Sequence, residues 1–215
     1  MIDSYKHKGL RKKLVEGIRN KGIQDENVLK AIEKLPRHFF MDSSFLEFAY
    51  QDKPFPIASG QTISQPYTVA FQTELLKIKK GDKVFEIGTG SGYQACVLIE
   101  MGAKVFSIER QKKLYQKSKK FLPSIGYYPK LFYGDGYKGI PAFAPFDKIL
   151  ITAAAPFAPK ALIEQLKIGG ILVAPIGNSD FQVMKSFVKT SENTTEEYDH
   201  GTFRFVPLLK DKAND

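Results

Sequence analysis

The sequence predicts an α/β fold, doubly wound, with a helical N-terminal extension. Three observations predict it. From residue 67 onward, short apolar runs alternate with stretches of helical period, the rhythm of βαβ units and a mostly parallel sheet. The first run, Val84-Phe85-Glu86-Ile87, passes directly into a glycine cluster and then into a helical stretch. Seven such runs follow one another, the last two with no helix between them. The expectation is a Rossmann-like sheet of seven strands with helices on both faces, its last two strands antiparallel to the rest.

Each element has its own signal. Leu10, Leu14 and Ile18 stand four apart, an amphipathic stripe over residues 10–20. Asp25 is placed to cap a second helix carrying Val28, Leu29, Ile32 and Leu35, which Pro36 stops. Residues 38–66 are rich in aromatics and turn formers, among them Pro54-Phe55-Pro56 and Ser59-Gly60. That stretch is too apolar for a linker and too aperiodic for a regular element, which marks a functional loop and a candidate lid. Helices are then expected over 68–76, 93–101, 111–122 and 159–166. Strands are expected over 84–87, 104–108, 130–133, 148–152, 171–176, 181–189 and 202–208, with a polar tail beyond. Two parts follow from this: residues 1–66, helices and lid loop packed on the main domain, and residues 67–215, the ligand-binding domain, together one compact unit.

Composition narrows the function. The 215 residues are 43% hydrophobic and 26% charged, which excludes disorder over the whole length. The net charge of +9 admits a nucleic acid, an acidic surface or an anionic small substrate. The cations are scattered rather than clustered and Trp is absent, so no stable nucleic-acid partner is expected. Cys96 is the one cysteine, as in a reducing compartment. The first residues hold no apolar run of signal-peptide length, and the longest such run, 149–155, falls far short of the ~20 residues that span a bilayer. A cytoplasmic monomer with no membrane partner is expected.

In an open α/β sheet, ligands bind beyond the carboxyl ends of the strands. Here the first strand ends in Glu86-Ile87-Gly88-Thr89-Gly90-Ser91-Gly92. Its glycines allow a tight turn and close approach of the backbone, and the helix start offers amide donors. A dinucleotide fingerprint would place its third glycine at 93, which is Tyr; the glycine stands at 92 instead. The next strand ends in Glu109, where an acid can accept from ribose hydroxyls. Glu86 adds an acid suited to an ammonium group, and Asp135, between Gly134 and Gly136, adds one for an adenine edge. Adenosine plus an amino-acid ammonium describes S-adenosylmethionine. A fourth strand end reads Thr152-Ala153-Ala154-Ala155-Pro156, where adenine-amino methyltransferases carry a polar-Pro-Pro-aromatic segment. Three alanines offer only backbone groups and space, which argues against a nucleobase substrate. No His/Cys cluster has ligand spacing, so no metal is expected, and His7, His38 and His200 read as surface or packing residues. Ser64, just before Pro66, reads equally as a helix cap or as a site residue.

Taken together, GQTISQP at 60–66, EIGTGSGYQ at 86–94, Ile108-Glu109-Arg110, GDGYKG at 134–139, APFD at 144–147 and TAAAP at 152–156 resemble the protein-L-isoaspartate O-methyltransferases. The resemblance runs from about residue 10 to Leu208. The glycine loop is common to class I methyltransferases, whereas GQTISQP some twenty residues before it is specific. Two positions depart: Ile140 stands where many members have Trp, near the expected adenine wall, and Ile168 replaces the Pro of a Lys-Pro-Gly-Gly turn. The resemblance implies methylation of the free α-carboxylate of L-isoaspartyl residues in damaged proteins and peptides, initiating repair. It implies S-adenosylmethionine as cofactor, held by Gln61, Thr62, Ile63, Gly88, Gly90, Ser91, Glu109, Arg110, Asp135 and Gly136 together with Glu86. It implies Ser64 as the active-site residue, with Thr62, Ala153 and Ala154 beside it on the substrate. The alternative is a methyltransferase acting on RNA or a small molecule, motivated by the charge.

Overall fold

The computed structural model describes residues 2–178 and 180–213. Two helices open the chain, α1 (Tyr5–Asn20) and α2 (Glu26–Lys34). Asp25 caps α2 by accepting from the Asn27 amide at 2.8 Å. On α1 the buried residues are Arg11, Leu14, Val15 and Ile18, while Leu10, expected in the apolar stripe, is 38% exposed. Residues 38–66 hold two 3-10 turns (Arg37–Phe40 and Ser43–Phe48) and a small hairpin, β1 (Phe55–Pro56) with β2 (Thr62–Ile63).

The main sheet follows: α3 (Pro66–Leu76), β3 (Lys83–Ile87), α4 (Tyr93–Glu100), β4 (Lys104–Glu109), α5 (Lys112–Ser124), β5 (Lys130–Tyr133), β6 (Phe146–Ile151), α6 (Lys160–Glu164), β7 (Leu166–Ile176), β8 (Gln182–Lys189) and β9 (Thr195–Phe203). Its seven strands lie in the order β5-β4-β3-β6-β7-β8-β9, parallel as far as β7; β8 runs antiparallel to β7 and β9 antiparallel to β8, so β8 alone runs against the rest and β9, expected to do so too, does not. The chain leaves β3 toward β4 and β5 and returns on the other side at β6, so the switch point lies at the carboxyl end of β3.

Burial alternates across the sheet as the pleat requires. Val84, Leu150 and Val173 face one helical layer with Leu76 and Leu98; Phe85, Ile149 and Leu172 face the other with Leu162. A third apolar cluster joins Ile18 and Ile32 of the N-terminal helices to Ala70, Cys96 and Leu122, spanning both sides of position 66. No helix among the described residues is long and apolar enough to cross a membrane.

One strand stands elsewhere than expected. The last strand is Thr195–Phe203, not 202–208. It is the sheet edge, so its exposed Glu196, Glu197 and Asp199 cost nothing, and apolar content is a poor guide to such a strand. Residues 204–208, mostly apolar, instead cross the carboxyl end of β6: the Ala154 amide donates to the Val206 carbonyl at 2.8 Å and the Leu208 amide to the Ala154 carbonyl at 2.7 Å. The expected polar tail is also tied down as far as Ala213, whose amide donates to the Arg110 carbonyl at 2.9 Å and whose carbonyl accepts from the Lys112 amide.

Candidate active site

A cleft of about 2090 Å³ opens at the carboxyl ends of the strands, at the switch point. Its floor is the turn after β3. Gly88, Gly90 and Gly92 all have positive φ, at 95°, 53° and 83°. A Cβ on Gly88 would stand 2.5 Å from Thr152 Oγ1, and one on Gly92 2.7 Å from Leu122 Cδ2. Two of the glycines thus serve close packing of the turn on β6 and α5. Thr152 Oγ1 lies 2.9 Å from both the Ile87 and the Gly88 carbonyl oxygens, and Ser118 of α5 donates to the Gly90 carbonyl at 2.9 Å.

The acids divide by register. Ile87, the last residue of β3, pairs with Ile108, which puts Glu109, the last residue of β4, one step past the end of β3 and Glu86 one step inside it. Glu109 lines the cleft and accepts from the Gly90 and Gln111 amides, each at 2.8 Å. Burial pushes its carboxyl up, opposed by those amides. A carboxylate has about four lone-pair sites, so acceptor capacity remains for a ligand.

Glu86, expected beside an ammonium group, is instead fully buried and does not line the cleft. Its side chain turns to the same sheet face as Val84, where Ser107 donates to its Oε2 at 2.5 Å and Oε1 has no partner. Burial pushes this carboxyl up to about 8, which favours its neutral form at pH 7. Ser107 lies 2.6 Å from the Thr89 hydroxyl, linking Glu86 to the underside of the glycine turn. Asp135 is half-buried and accepts from the Tyr137 amide at 2.9 Å; the cleft is lined at that point by its neighbours Gly136 and Tyr137. Ile140, one of the two departing positions, packs with the apolar cluster behind the sheet and does not line the cleft.

The wall opposite comes from the hairpin. Gln61, Thr62, Ile63 and Ser64 line the cleft, as do Ser91, Ala153 and Ala154. Ser64 does not cap α3. The cap position is Gln65, with no side-chain capping bond. The helix start is held from the 38–66 loop by Asp52, which accepts from the Tyr67 amide at 2.8 Å and from Gln65 Nε2 at 3.1 Å. Arg37 fixes that loop in turn: fully buried over the Tyr93 ring, it donates to the Ala49 and Lys53 carbonyls. Neither residue belongs to a motif, and only the long-range fold reveals them.

Two further features escaped the sequence reading. His200, Arg204 and Phe205 line the outer end of the cleft, with His200 Nε2 2.7 Å from Ser186 Oγ and the Arg204 guanidinium 4.2 Å from the Phe181 ring centre. The C-terminal segment lies across the strand ends as a strap. Arg110 donates to the Asp211 and Lys210 carbonyls, and the hydroxyls of Tyr137 and Tyr133 donate to the Leu208 and Ala213 carbonyls.

A mostly parallel sheet with its cleft at the switch point, a glycine turn and a strand-end acid define a Rossmann-like fold for a ribosylated ligand, the class that includes the S-adenosylmethionine-dependent methyltransferases. The model of the family described as protein-L-isoaspartate(D-aspartate) O-methyltransferase matches residues 9–213, and the chain belongs to that family. Proteins named protein-L-isoaspartate O-methyltransferase from Christiangramia forsetii and Cytophaga hutchinsonii are 61% and 59% identical to it. The first match covers 99% of this chain and 100% of the relative, the second 97% and 95%. A solved structure of the same name superposes with a TM-score of 0.84 at 30% identity, covering 95% of this chain and 67% of that one. A Plasmodium falciparum structure in complex with S-adenosyl-L-homocysteine gives 0.79 at 25% identity, covering 94% and 99%.

Proposed function

We propose that this chain transfers a methyl group from S-adenosylmethionine to the free α-carboxylate of L-isoaspartyl residues in damaged proteins and peptides, with Ser64 orienting the carboxylate. The carrying observation is that Ser64 and the glycine turn face one cleft, with Glu109 on its wall. The residues present suit the cofactor: two strand-end turns too closely packed for side chains, at Gly88 after β3 and Gly136 after β5, beside an acid with spare acceptor capacity. Gly88, Gly90, Ser91 and Glu109 would hold it, with Gln61, Thr62 and Ile63 closing over it. When bound, S-adenosylmethionine supplies an electrophilic methyl group on a sulfonium sulfur.

The attacking oxygen comes from the substrate. A carboxyl group with a pKa near 4 is already ionised at pH 7, so no general base is needed. A strong hydrogen bond to the attacking oxygen would slow the step, because its charge is lost as the bond forms. Ser64 therefore serves best as a donor to the other oxygen. Alignment accounts for most of the acceleration, and oriented intramolecular reactions gain ~7–11 kcal/mol from it. Ala153 and Ala154 line the same cleft as Ser64 with side chains small enough to leave it open. The cleft also carries Lys21, Arg110, Arg204 and Lys210 against Glu109 and Asp180, a positive balance suited to an anionic group.

The test is transfer of a labelled methyl group, offered an isoaspartyl peptide and a total RNA preparation in parallel. The expected product is a base-labile ester on the peptide with no label on RNA; label on RNA alone overturns the assignment.

A further inference from the structure

We propose that Arg204 sets specificity along the polypeptide substrate by gripping a carboxylate side chain two residues from the isoaspartyl residue. The inference rests on the reaction proposed above and adds to it a preference for acidic neighbours.

The cleft, at about 2090 Å³, exceeds the roughly 300–1,000 Å³ that a small ligand fills. Its outer end therefore has room for the polypeptide that carries the isoaspartyl residue. Arg204 lines that end and is set there by the sheet. Gln182, the first residue of β8, pairs with Phe203, the last of β9, so Phe181 and Arg204 are neighbours just past the ladder. Gln182 also accepts from the Phe205 amide at 2.9 Å, which fixes the backbone on the far side of Arg204. The guanidinium carbon lies 4.2 Å from the Phe181 ring centre.

Stacking on a ring leaves the N–H donors of a guanidinium free. Among the described residues Arg204 makes no hydrogen bond and no ion pair. The other cations of the cleft differ. Lys21 is paired with Asp52 at 2.5 Å, and Arg110 donates to the Lys210 and Asp211 carbonyls. Lys210 stands over the Tyr137 ring, beside the turn after β5. A planar fork with free donors matches a carboxylate through two parallel hydrogen bonds. Phe203 packs on Tyr67 and Phe71 in the adjoining wall, which shields part of such a pair from water.

Reach sets the position. Arg204 is two residues before Val206, whose carbonyl accepts from the Ala154 amide, so at most ~7 Å separates their backbones. An extended substrate covers the same distance in two residues. Asp180 lines the same end and repels an acid. The expected gain is therefore that of a half-exposed ion pair, about fivefold.

The test compares isoaspartyl peptides carrying Glu or Gln two residues before, or two residues after, the isoaspartyl residue. On one side the Glu peptide should have about fivefold the kcat/KM of the Gln peptide, expressed in KM. Arg204→Gln should bring that ratio to about one while binding S-adenosylhomocysteine and melting as the parent does. Arg204→Glu should invert the preference, favouring a Lys peptide over the Glu peptide. Lys104→Gln removes an exposed charge at the opposite ends of the strands and should keep the parent's ratio. A ratio within twofold on both sides, or one that Arg204→Gln leaves unchanged, overturns the proposal while methylation of these peptides still supports the reaction. Methylation of none of them overturns the reaction itself, and this proposal with it.

Discussion

Ser64 has a role that one substitution can isolate. It lines the cleft without capping α3, so Ser64→Ala should leave the melting temperature nearly unchanged. If the hydroxyl orients the carboxylate, kcat/KM for an isoaspartyl peptide should fall about 10- to 150-fold, the equivalent of ~1.5–3 kcal/mol for one hydrogen bond to a charged group. Affinity for S-adenosylhomocysteine should stay close to that of the parent. A variant that melts earlier but turns over normally would remove Ser64 from the chemistry. Glu86 gives a second expectation, this one about pH. Its folded pKa is raised to about 8 by burial, well above the ~4.3 of a free Glu. Its contribution to stability is therefore full below about pH 4 and lost as pH rises through 8. Glu86→Gln, neutral at every pH, should gain in melting temperature relative to the parent between pH 5 and pH 8. Parallel melting curves for the two proteins over that range would mean that Glu86 is ionised in the folded state. The residue types at the strand ends were legible in the sequence, but their directions were not. Glu86 and Glu109 look equivalent until the pairing of Ile87 with Ile108 sets Glu86 inside β3 and Glu109 at the last position of β4, one step past the end of β3.

At the scale of elements, the glycine turn is the most legible feature and the strap the least. The turn announces itself because only glycine tolerates three positive φ angles in five residues. Its packing reason, however, comes from β6: Thr152 occupies the space that a Cβ on Gly88 would need. Gly88→Ala should therefore displace Thr152 from the Ile87 and Gly88 carbonyls in addition to the ~1–2 kcal/mol of left-handed strain. Gly90→Ala carries the same kind of strain, but its Cβ would meet only Ile57 at an ordinary 3.6 Å. In melting and S-adenosylhomocysteine titrations, Gly88→Ala should thus lose binding entirely and melt several degrees below Gly90→Ala. Equal losses in the two variants would show that strain alone, and not the contact with Thr152, sets the turn. The strap could not be read in advance because its own part in these bonds is backbone alone, met by backbone at Ala154, Arg110 and Lys112 and by the Arg110, Tyr133 and Tyr137 side chains. Backbone bonds leave no mark on residue type. Phe205, Val206 and Leu208 mimic a strand for the same reason: they are half-buried, but the partner of this segment is the end of β6 rather than the sheet edge.

The molecule as a whole places a positively balanced cleft at the switch point, between the hairpin carrying Ser64 and the glycine turn. Family membership and this geometry lead to one reaction, in which the substrate brings its own ionised oxygen and the protein brings alignment. An L-isoaspartyl linkage differs from a normal aspartyl one only in which carboxyl is free and how far it stands from the backbone. Discrimination between the two is therefore the most direct test of alignment. Two peptides of identical sequence, one with Asp and one with isoAsp at a single position, should be assayed for ester formation under the same conditions. The isoaspartyl peptide should be methylated and its aspartyl twin left unmodified, whereas equal ester formation on both, or none on either, would contradict the assignment.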